Sequence, residues 1–373
     1  MSLHQLSAQT ITGYVYEDLN KNGSKENNEP GIKGVAVSDQ LDVVLTDETG
    51  LYAITNNGYG IIFISMPGGY SAKTFWQNVA ASSINFALTK KPSHSTFQFI
   101  QASDTHVSEI SIKRMDKFRA IVDSVNPDWV LITGDLVKDA LRVDEKEATR
   151  LYQLFAVESG KIKAPLWLVP GNHEIFGIER QLSLVNPKNP LYGRNMYRHF
   201  LGPDYYSFNY GGVHFVALNS LEFEDLWYYG RVDSAQIEWL KKDLNTINAT
   251  MPVVTFQHVP FYSGGMSMEN FSDYGPGRSL EREHGVTQFR HVVSNADEVL
   301  SVLKPYNFIL SLAGHYHYRQ LFSVEGINTR FEQAAAVIAP VSFSNYTSPS
   351  GVTLYKVVNG KIDAGQFIPL DKK

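Results

Sequence analysis

No cysteine occurs among the 373 residues. A thiol nucleophile, a disulfide framework and a thiolate metal site are therefore excluded. The absence is compatible with an oxidising compartment without requiring one. A large excess of charge of one sign is missing too: 33 Lys and Arg face 38 Asp and Glu, for a formal charge of −5. That balance gives no general attraction to nucleic acid or to anionic membranes, although a local basic patch stays open. No apolar run approaches the roughly 20 residues that span a bilayer. Met1-Ser2-Leu3 does not lead into a positive segment with an apolar core, so no signal peptide is expected within these residues. What is present is apolar material, 43% of residues against 19% charged. That is enough for a sizeable core and, at this length, for two domains.

Two textures divide the chain. Residues 1–90 carry short strand-like runs (Gly13–Tyr16, Gly34–Val37, Val43–Thr46, Leu51–Ile54 and Ile61–Ser65) separated by Gly, Asn and Asp. This spacing, without a helical period, predicts a small all-β sandwich. Residues 91–95 read as a linker, and residues 96–373 alternate apolar strand-length runs with helix-like stretches, the pattern of an α/β layered domain. Asp233 and Gln236 are spaced as a capping box ahead of Ile237, Leu240, Leu244 and Ile247 on one helical face. The tail returns to strand at Val352–Val358, expected to complete a sheet.

The chemistry lies just after the apolar runs. Phe97–Ala102 precedes Asp104-Thr105-His106, Trp129–Thr133 precedes Gly134-Asp135, and Leu166–Val169 leads to Gly171-Asn172-His173-Glu174. Val253–Phe256 ends at Gln257-His258, and Phe308–Ala313 ends at Gly314-His315-Tyr316-His317. Five strands thus deliver imidazole, carboxylate and amide groups at their carboxyl ends, the edge where open α/β sheets bind ligands. Nitrogen and oxygen donors suit Mn, Fe or Zn. Alternation along an extended chain lets Asp104 with His106, and His315 with His317, each aim two donors at one place.

These five segments, in this order, resemble the signature of calcineurin-like metallophosphoesterases over about residues 96 to 320. Tyr205–Phe208, Val213–Phe215 and Trp239–Leu244 resemble the phosphodiesterase-like branch. The resemblance implies a four-layer α/β sandwich and two divalent transition metals. Asp104, His106, Asp135 and His317 would hold one, and Asp135, Asn172, His258 and His315 the other. It implies hydrolysis of a phosphomonoester or phosphodiester by attack of a metal-bound hydroxide, with two ions about 3.5–4 Å apart clamping the displacement. His173, which the family does not use as a ligand, would act at the scissile phosphate or leaving group. Glu174 would orient a neighbour, with Asp139 a further acid near the site. Purple acid phosphatases carry a tyrosine three residues after the bridging aspartate. Lys138 stands there in this chain, which disfavours that subgroup.

Around this centre, Arg180, Arg194 and Arg198 are candidate substrate-binding residues on an insertion, with a solvated loop as the bland alternative. Residues 261–285 form a second candidate rim. His4, His94, His199, His214, His284 and His291 lie outside the pattern and are read as ordinary. Asp18, Asn20, Asn22, Ser24 and Glu29 have the spacing of a calcium loop, but a strand-like run precedes them where an EF-hand needs a helix. The segment resembles B-type repeats of bacterial surface proteins and the amino-terminal domain of some bacterial members of the same family. A tight Asn/Gly turn without an ion is the alternative there. A small-molecule phosphate ester is the expected partner and nucleic acid is not. A periplasmic or secreted bacterial location is compatible with these features, and the residues leave the oligomeric state open. Nuclease activity on the same centre, or a catalytically dead surface-binding protein, are the alternative functions. The acidic charge argues against the first, and the complete set of ligand positions against the second.

Overall fold

The computed structural model describes residues 9–92, 94–264, 279–281, 287–343 and 346–371. The amino-terminal part is a pair of four-stranded sheets. One has the order Leu51–Thr55, Thr10–Glu17, Phe86–Lys90, Tyr70–Ser71, and the other Val43–Leu45, Ala36–Ser38, Ile61–Ile64, Trp76–Asn78. Their facing side chains, among them Ile11, Val15, Val37, Ile54, Ile62 and Leu88, are buried in one core. This is the β-sandwich expected from the spacing.

The larger part contains two six-stranded sheets. In the first, Leu166–Val169, Trp129–Thr133 and Thr96–Ala102 lie parallel, and Gly351–Val358 pairs antiparallel with Thr96–Ala102. In the second, Val213–Ala217, Pro252–Phe256, Asn307–Ala313 and Arg330–Gln333 run parallel in that spatial order. Strands covered on both faces need apolar residues at every position rather than at alternate ones. Trp129–Thr133 is buried along its whole length.

Helices Ile112–Val125 and Glu145–Ser159 cover the outer face of the first sheet. Met115, Phe118, Leu151 and Phe155 meet Ile100, Val130 and Ile132 there. Ile237, Leu240 and Leu244 of helix Ser234–Leu244 join the core of the second sheet. Between the sheets Trp129 stacks on Phe99 at 4.2 Å and meets Phe215 edge-on at 5.0 Å. Helix, sheet, sheet and helix give the four-layer sandwich. The tail completes the first sheet, as expected.

One local expectation changes. Asp233 does cap its helix, accepting from the Gln236 amide at 2.9 Å. The Gln236 side chain does not reach back. It accepts from Asn219 N and donates to Asn219 O, both at 2.9 Å. A buried glutamine amide satisfies both its donor and its acceptor there, which a return to the cap could not offer. The capping box is therefore half formed.

The two parts share a core. Phe75 lies 5.1 Å from Trp167 and 4.9 Å from Tyr206. Trp239 Nε1 donates to Ser38 Oγ at 3.1 Å, and Asn209 N to Met66 O at 2.8 Å. Asp204, fully buried, is the polar hub. It accepts from Arg198 Nε at 2.8 Å, Asn219 Nδ2 at 2.9 Å and, across the junction, Gln40 Nε2 at 2.9 Å. Burial raises the Asp204 carboxyl, but Arg198 and then Arg194 outweigh it and hold the group below its ordinary range. This stabilisation is present at neutral pH, above the unfolded-state value, and is lost as pH falls through the folded value. Asp204→Ala leaves Arg198 buried without its counter-charge. A loss of about 3–5 kcal/mol in denaturant unfolding is expected, and a loss below 1 kcal/mol would contradict the hub role.

Candidate metal centre

Parallel strands within each sheet place their carboxyl ends at one edge, and the two sheets bring those edges together. Gln101 Nε2 bridges them, donating to Ala313 O at 2.9 Å. The residues after each strand then turn sharply. Asp104, His106, Asp135, His315 and His317 have φ between 40° and 76°, five of the eleven non-glycine residues with positive φ among the described residues. Left-handed backbone is unfavourable for such side chains and collects at functional sites. Convergence within each pair therefore comes from left-handed turns, not from the strand alternation expected. Backbone bonds brace the turns: His106 N donates to Asp135 O at 2.9 Å, and Gly314 N to His258 O at 2.9 Å.

Two donor sets result. Asp104, His106, Asp135 and His317 offer ligand atoms all within 4.8 Å of one another, as do Asp135, His258 and His315. Asp135 belongs to both. Its Oδ2 lies 3.3 Å from His258 Nε2 and 3.7 Å from His106 Nε2. Asn172 joins the second set through Oδ1, 3.2 Å from His258 Nε2. Asp104 Oδ1 is buried and faces His317 Nε2 at 3.2 Å, another atom of the same donor set. Buried carboxylate and imidazole atoms crowded together in this way are costly unless something satisfies them jointly. A cation held by these donors would satisfy them, so the residues present fit a pair of divalent ions.

The electrostatics follow from this crowding. Burial raises the Asp135 carboxyl, but His258 and His173 overcome that and hold it well below its ordinary range. Burial lowers His258, yet Asp135 and then Asp104 lift it to about 9. Burial pushes His106 down to about 4. Burial also depresses His315, and the facing His291 adds to the effect.

His173 stands beside the sets rather than in them. Its Nδ1 lies 2.6 Å from Lys138 O, and its Nε2 lies 3.9 Å from Asp135 Oδ2. A carbonyl can only accept, so Nδ1 carries the hydrogen and Nε2 faces the centre. Glu174 ties two loops together, accepting from Leu136 N at 2.8 Å, Val137 N at 2.9 Å and Gly171 N at 2.6 Å. Burial and the charge of Asp135 push it up to about 8 against those donors. Asp139 pairs with Arg142 at 2.9 Å.

The three candidate substrate arginines are engaged elsewhere. Arg180 pairs with Asp225, and Arg194 pairs with Glu222 and Asp233. Arg198 is buried against Asp204, its guanidinium 3.6 Å from the centre of the Tyr59 ring. Each faces a carboxylate of its own fold, so none is presented as a free cation for substrate. Of the rim 261–285, residues 265–278 and 282–286 lie outside the described residues, as do His4 and His284. His214 is a sheet residue held by Asp243 at 2.9 Å, as expected of an ordinary histidine. His291 is not ordinary: its Nδ1 lies 2.6 Å from His315 Nε2. Nothing in its sequence spacing marks it, because the contact depends on tertiary packing.

In the amino-terminal part, strand Thr10–Glu17 precedes the Asp/Asn loop and no helix follows it, so the loop is not an EF-hand. Asp18 accepts from Gly23 N at 2.9 Å, and Glu29 from Leu19 N and Glu26 N at 3.0 Å. Asn22 Oδ1 accepts from Ser24 N at 2.7 Å, and Asn20 Nδ2 donates to Glu26 at 3.1 Å.

A family model described as calcineurin-like phosphoesterase matches residues 97–319, and one described as the N terminal of calcineurin-like phosphoesterase matches residues 19–101. Serine-aspartate repeat-containing protein C of Staphylococcus aureus (strain Newman) is 44% identical over 69 residues, 16% of this chain and 7% of the staphylococcal protein. The chain thus spans under a tenth of the length of that relative. Among solved structures, a dimetal phosphatase from Danio rerio is 14% identical, covers 74% of this chain and 99% of its own, and has a TM-score of 0.49. Purple acid phosphatase PPD1 from yellow lupin seeds is 13% identical over 97% of this chain and 69% of its own, with a TM-score of 0.47.

The close approach of the loops is itself testable. A Cβ on Gly171 would stand 2.2 Å from both Asp135 N and Asp135 Oδ1. Gly171→Ala is expected to displace the shared carboxylate and lower the metal retained per chain, with circular dichroism unchanged. Undiminished metal content would contradict this geometry.

Proposed function

The chain belongs to the calcineurin-like phosphoesterase family, and from that premise we propose that it hydrolyses small-molecule phosphate esters, mono- or diester, at a two-metal centre. The observation that carries the reading is one carboxylate, Asp135, common to two converging donor sets. Asp104, His106, Asp135 and His317 would hold one divalent ion, and Asp135, Asn172, His258 and His315 the other. When bound, such ions supply Lewis acidity and bring the pKa of a coordinated water near neutrality.

The chain's own groups do the rest. His173 Nδ1 is committed to the Lys138 carbonyl, which fixes the ring with Nε2 facing Asp135 Oδ2 at 3.9 Å, the side on which the reacting phosphate would lie. A histidine so held can carry a proton on Nε2 and pass it to the departing oxygen. Glu174 holds the backbone that follows Asp135 in register with the loop at Gly171. The apolar packing between the sheets keeps bulk water from behind the ligands and strengthens every charge interaction in front of it.

The test is a panel of aryl phosphate monoesters and diesters with protein reconstituted in Mn, Fe or Zn. Hydrolysis should need added metal and vanish on chelation. His173→Ala should lower kcat by about 10²–10⁴-fold while metal content stays at the wild-type level. Equal rates with and without metal would overturn the reading. So would an unchanged rate in His173→Ala, for the acid role.

For the amino-terminal loop we propose calcium. Asp18 and Glu29 are buried, and among the described residues neither forms an ion pair and the buried Tyr16 hydroxyl near them has no hydrogen-bond partner. Burial, then the charges of Asp18 and Glu29, push that hydroxyl up to about 12. A bound Ca²⁺ at about 100 times its Kd would add about 2.7 kcal/mol, read as a higher melting temperature. A melt that calcium leaves unchanged counts against the site.

A further inference from the structure

The contact of His291 with His315 remains unused by the chemistry above. His291 Nδ1 and His315 Nε2 are 2.6 Å apart, with the rings 4.9 Å between centres and 27° from parallel. Two imidazole nitrogens at that distance share one hydrogen, since two lone pairs or two N–H groups would repel. Its owner follows from the other side of His315. Nδ1 of that ring lies 3.1 Å from His258 Nε2, among the donor atoms of the second set. A nitrogen that ligates a cation must be bare, so the hydrogen of His315 sits on Nε2 and His291 Nδ1 accepts it.

His291 is held in place by its own segment. Val293 N donates to Pro260 O at 2.9 Å and Ser294 N to Gly230 O at 2.8 Å. Gly230 admits this approach, because a Cβ there would stand 2.2 Å from Val292 O. On the other side, the Arg290 guanidinium lies 4.2 Å from the centre of the Tyr228 ring and 5.3 Å from that of Trp227. Tyr228 in turn meets His315 edge-on at 6.5 Å. The segment is thus pinned at both ends of His291, and the imidazole between is delivered to the back of a ligand.

We propose that His291 is a positioning residue for the second metal ion, accepting the Nε2 hydrogen of His315 so that Nδ1 stays bare toward the cation. The inference rests on the two-metal reading. It adds a dependence on a residue outside the family signature. Outer partners of ligating histidines typically contribute about 10–100-fold in metal affinity.

The experiment titrates Mn²⁺ into the full metal-free chain by calorimetry, with bound metal per chain counted by atomic emission. Three proteins are compared: wild type, His291→Leu, which cannot accept a hydrogen bond, and His291→Asn, whose Oδ1 can stand where Nδ1 stood. His291→Leu should weaken one Mn²⁺ site by about 10–100-fold and leave the other unchanged, and His291→Asn should recover most of the loss. Thermal melts of the metal-free proteins identify any general unfolding. If His291→Leu is unfolded, the Asn variant alone decides: tight binding at both sites supports the proposal, and a weakened site overturns it. Two wild-type affinities in a folded His291→Leu overturn it, as do equal losses in the Leu and Asn variants. Wild-type protein that takes up fewer than two Mn²⁺ ions overturns the two-metal reading itself, a result distinct from a failure of His291 alone.

Discussion

The Asp135 carboxylate, sunk among imidazoles, is the constraint on which the rest depends. A lone buried carboxylate is costly, and its neighbours must compensate it. Here His258 and His106 approach its outer oxygen, while the His173 amide donates to the inner one at 3.0 Å. Holding one carboxylate within reach of two donor sets requires two sheet edges to meet within a few ångströms. That requirement accounts for the left-handed turns, the glycines without room for a Cβ and the polar bridge of Gln101. The interior between the sheets is built from large flat rings in contact, such as Phe208 on Trp167 at 3.8 Å. Such a core holds the edges in register because it has little freedom to slide.

Much of this was legible in the sequence, for a physical reason. Strands covered on both faces must be apolar throughout, so they stand out as runs. Parallel strands must place their ligands at one end, so Asp104, Asp135, Asn172, His258 and His315 each follow a run. The order of those pairs identifies the family and hence the four layers. What could not be read depends on contacts between distant segments. His291 is one histidine with no spacing relation to the others, and its role appears only when Gly230 and Pro260 pin its segment. Arg180, Arg194 and Arg198 looked like a substrate grip because their partners, Asp225, Glu222, Asp233 and Asp204, are invisible to a local reading. Gln236 was spaced for a capping box, but the buried Asn219 backbone claimed its side chain.

The amino-terminal sandwich is joined to the catalytic part by more than a linker. Ser38 and Gln40 engage Trp239 and Asp204, and Ser65 meets Ser207 Oγ at 2.9 Å. Ser207 also bonds Asp243, which holds His214. These groups lie under the second sheet, two of whose strands end at His258 and Gly314. The sandwich thus braces the layer that delivers half of the second donor set. A calcium ion in its loop, if bound there, would act on stability through this shared core and not on the chemistry.

The central claim is that two cations flank one carboxylate. Anomalous diffraction from crystals grown with Mn²⁺ tests it most directly. The account predicts two peaks, one beside Asp104, His106 and His317 and one beside Asn172, His258 and His315, with Asp135 between them. A single peak, or peaks that do not share Asp135, would contradict it.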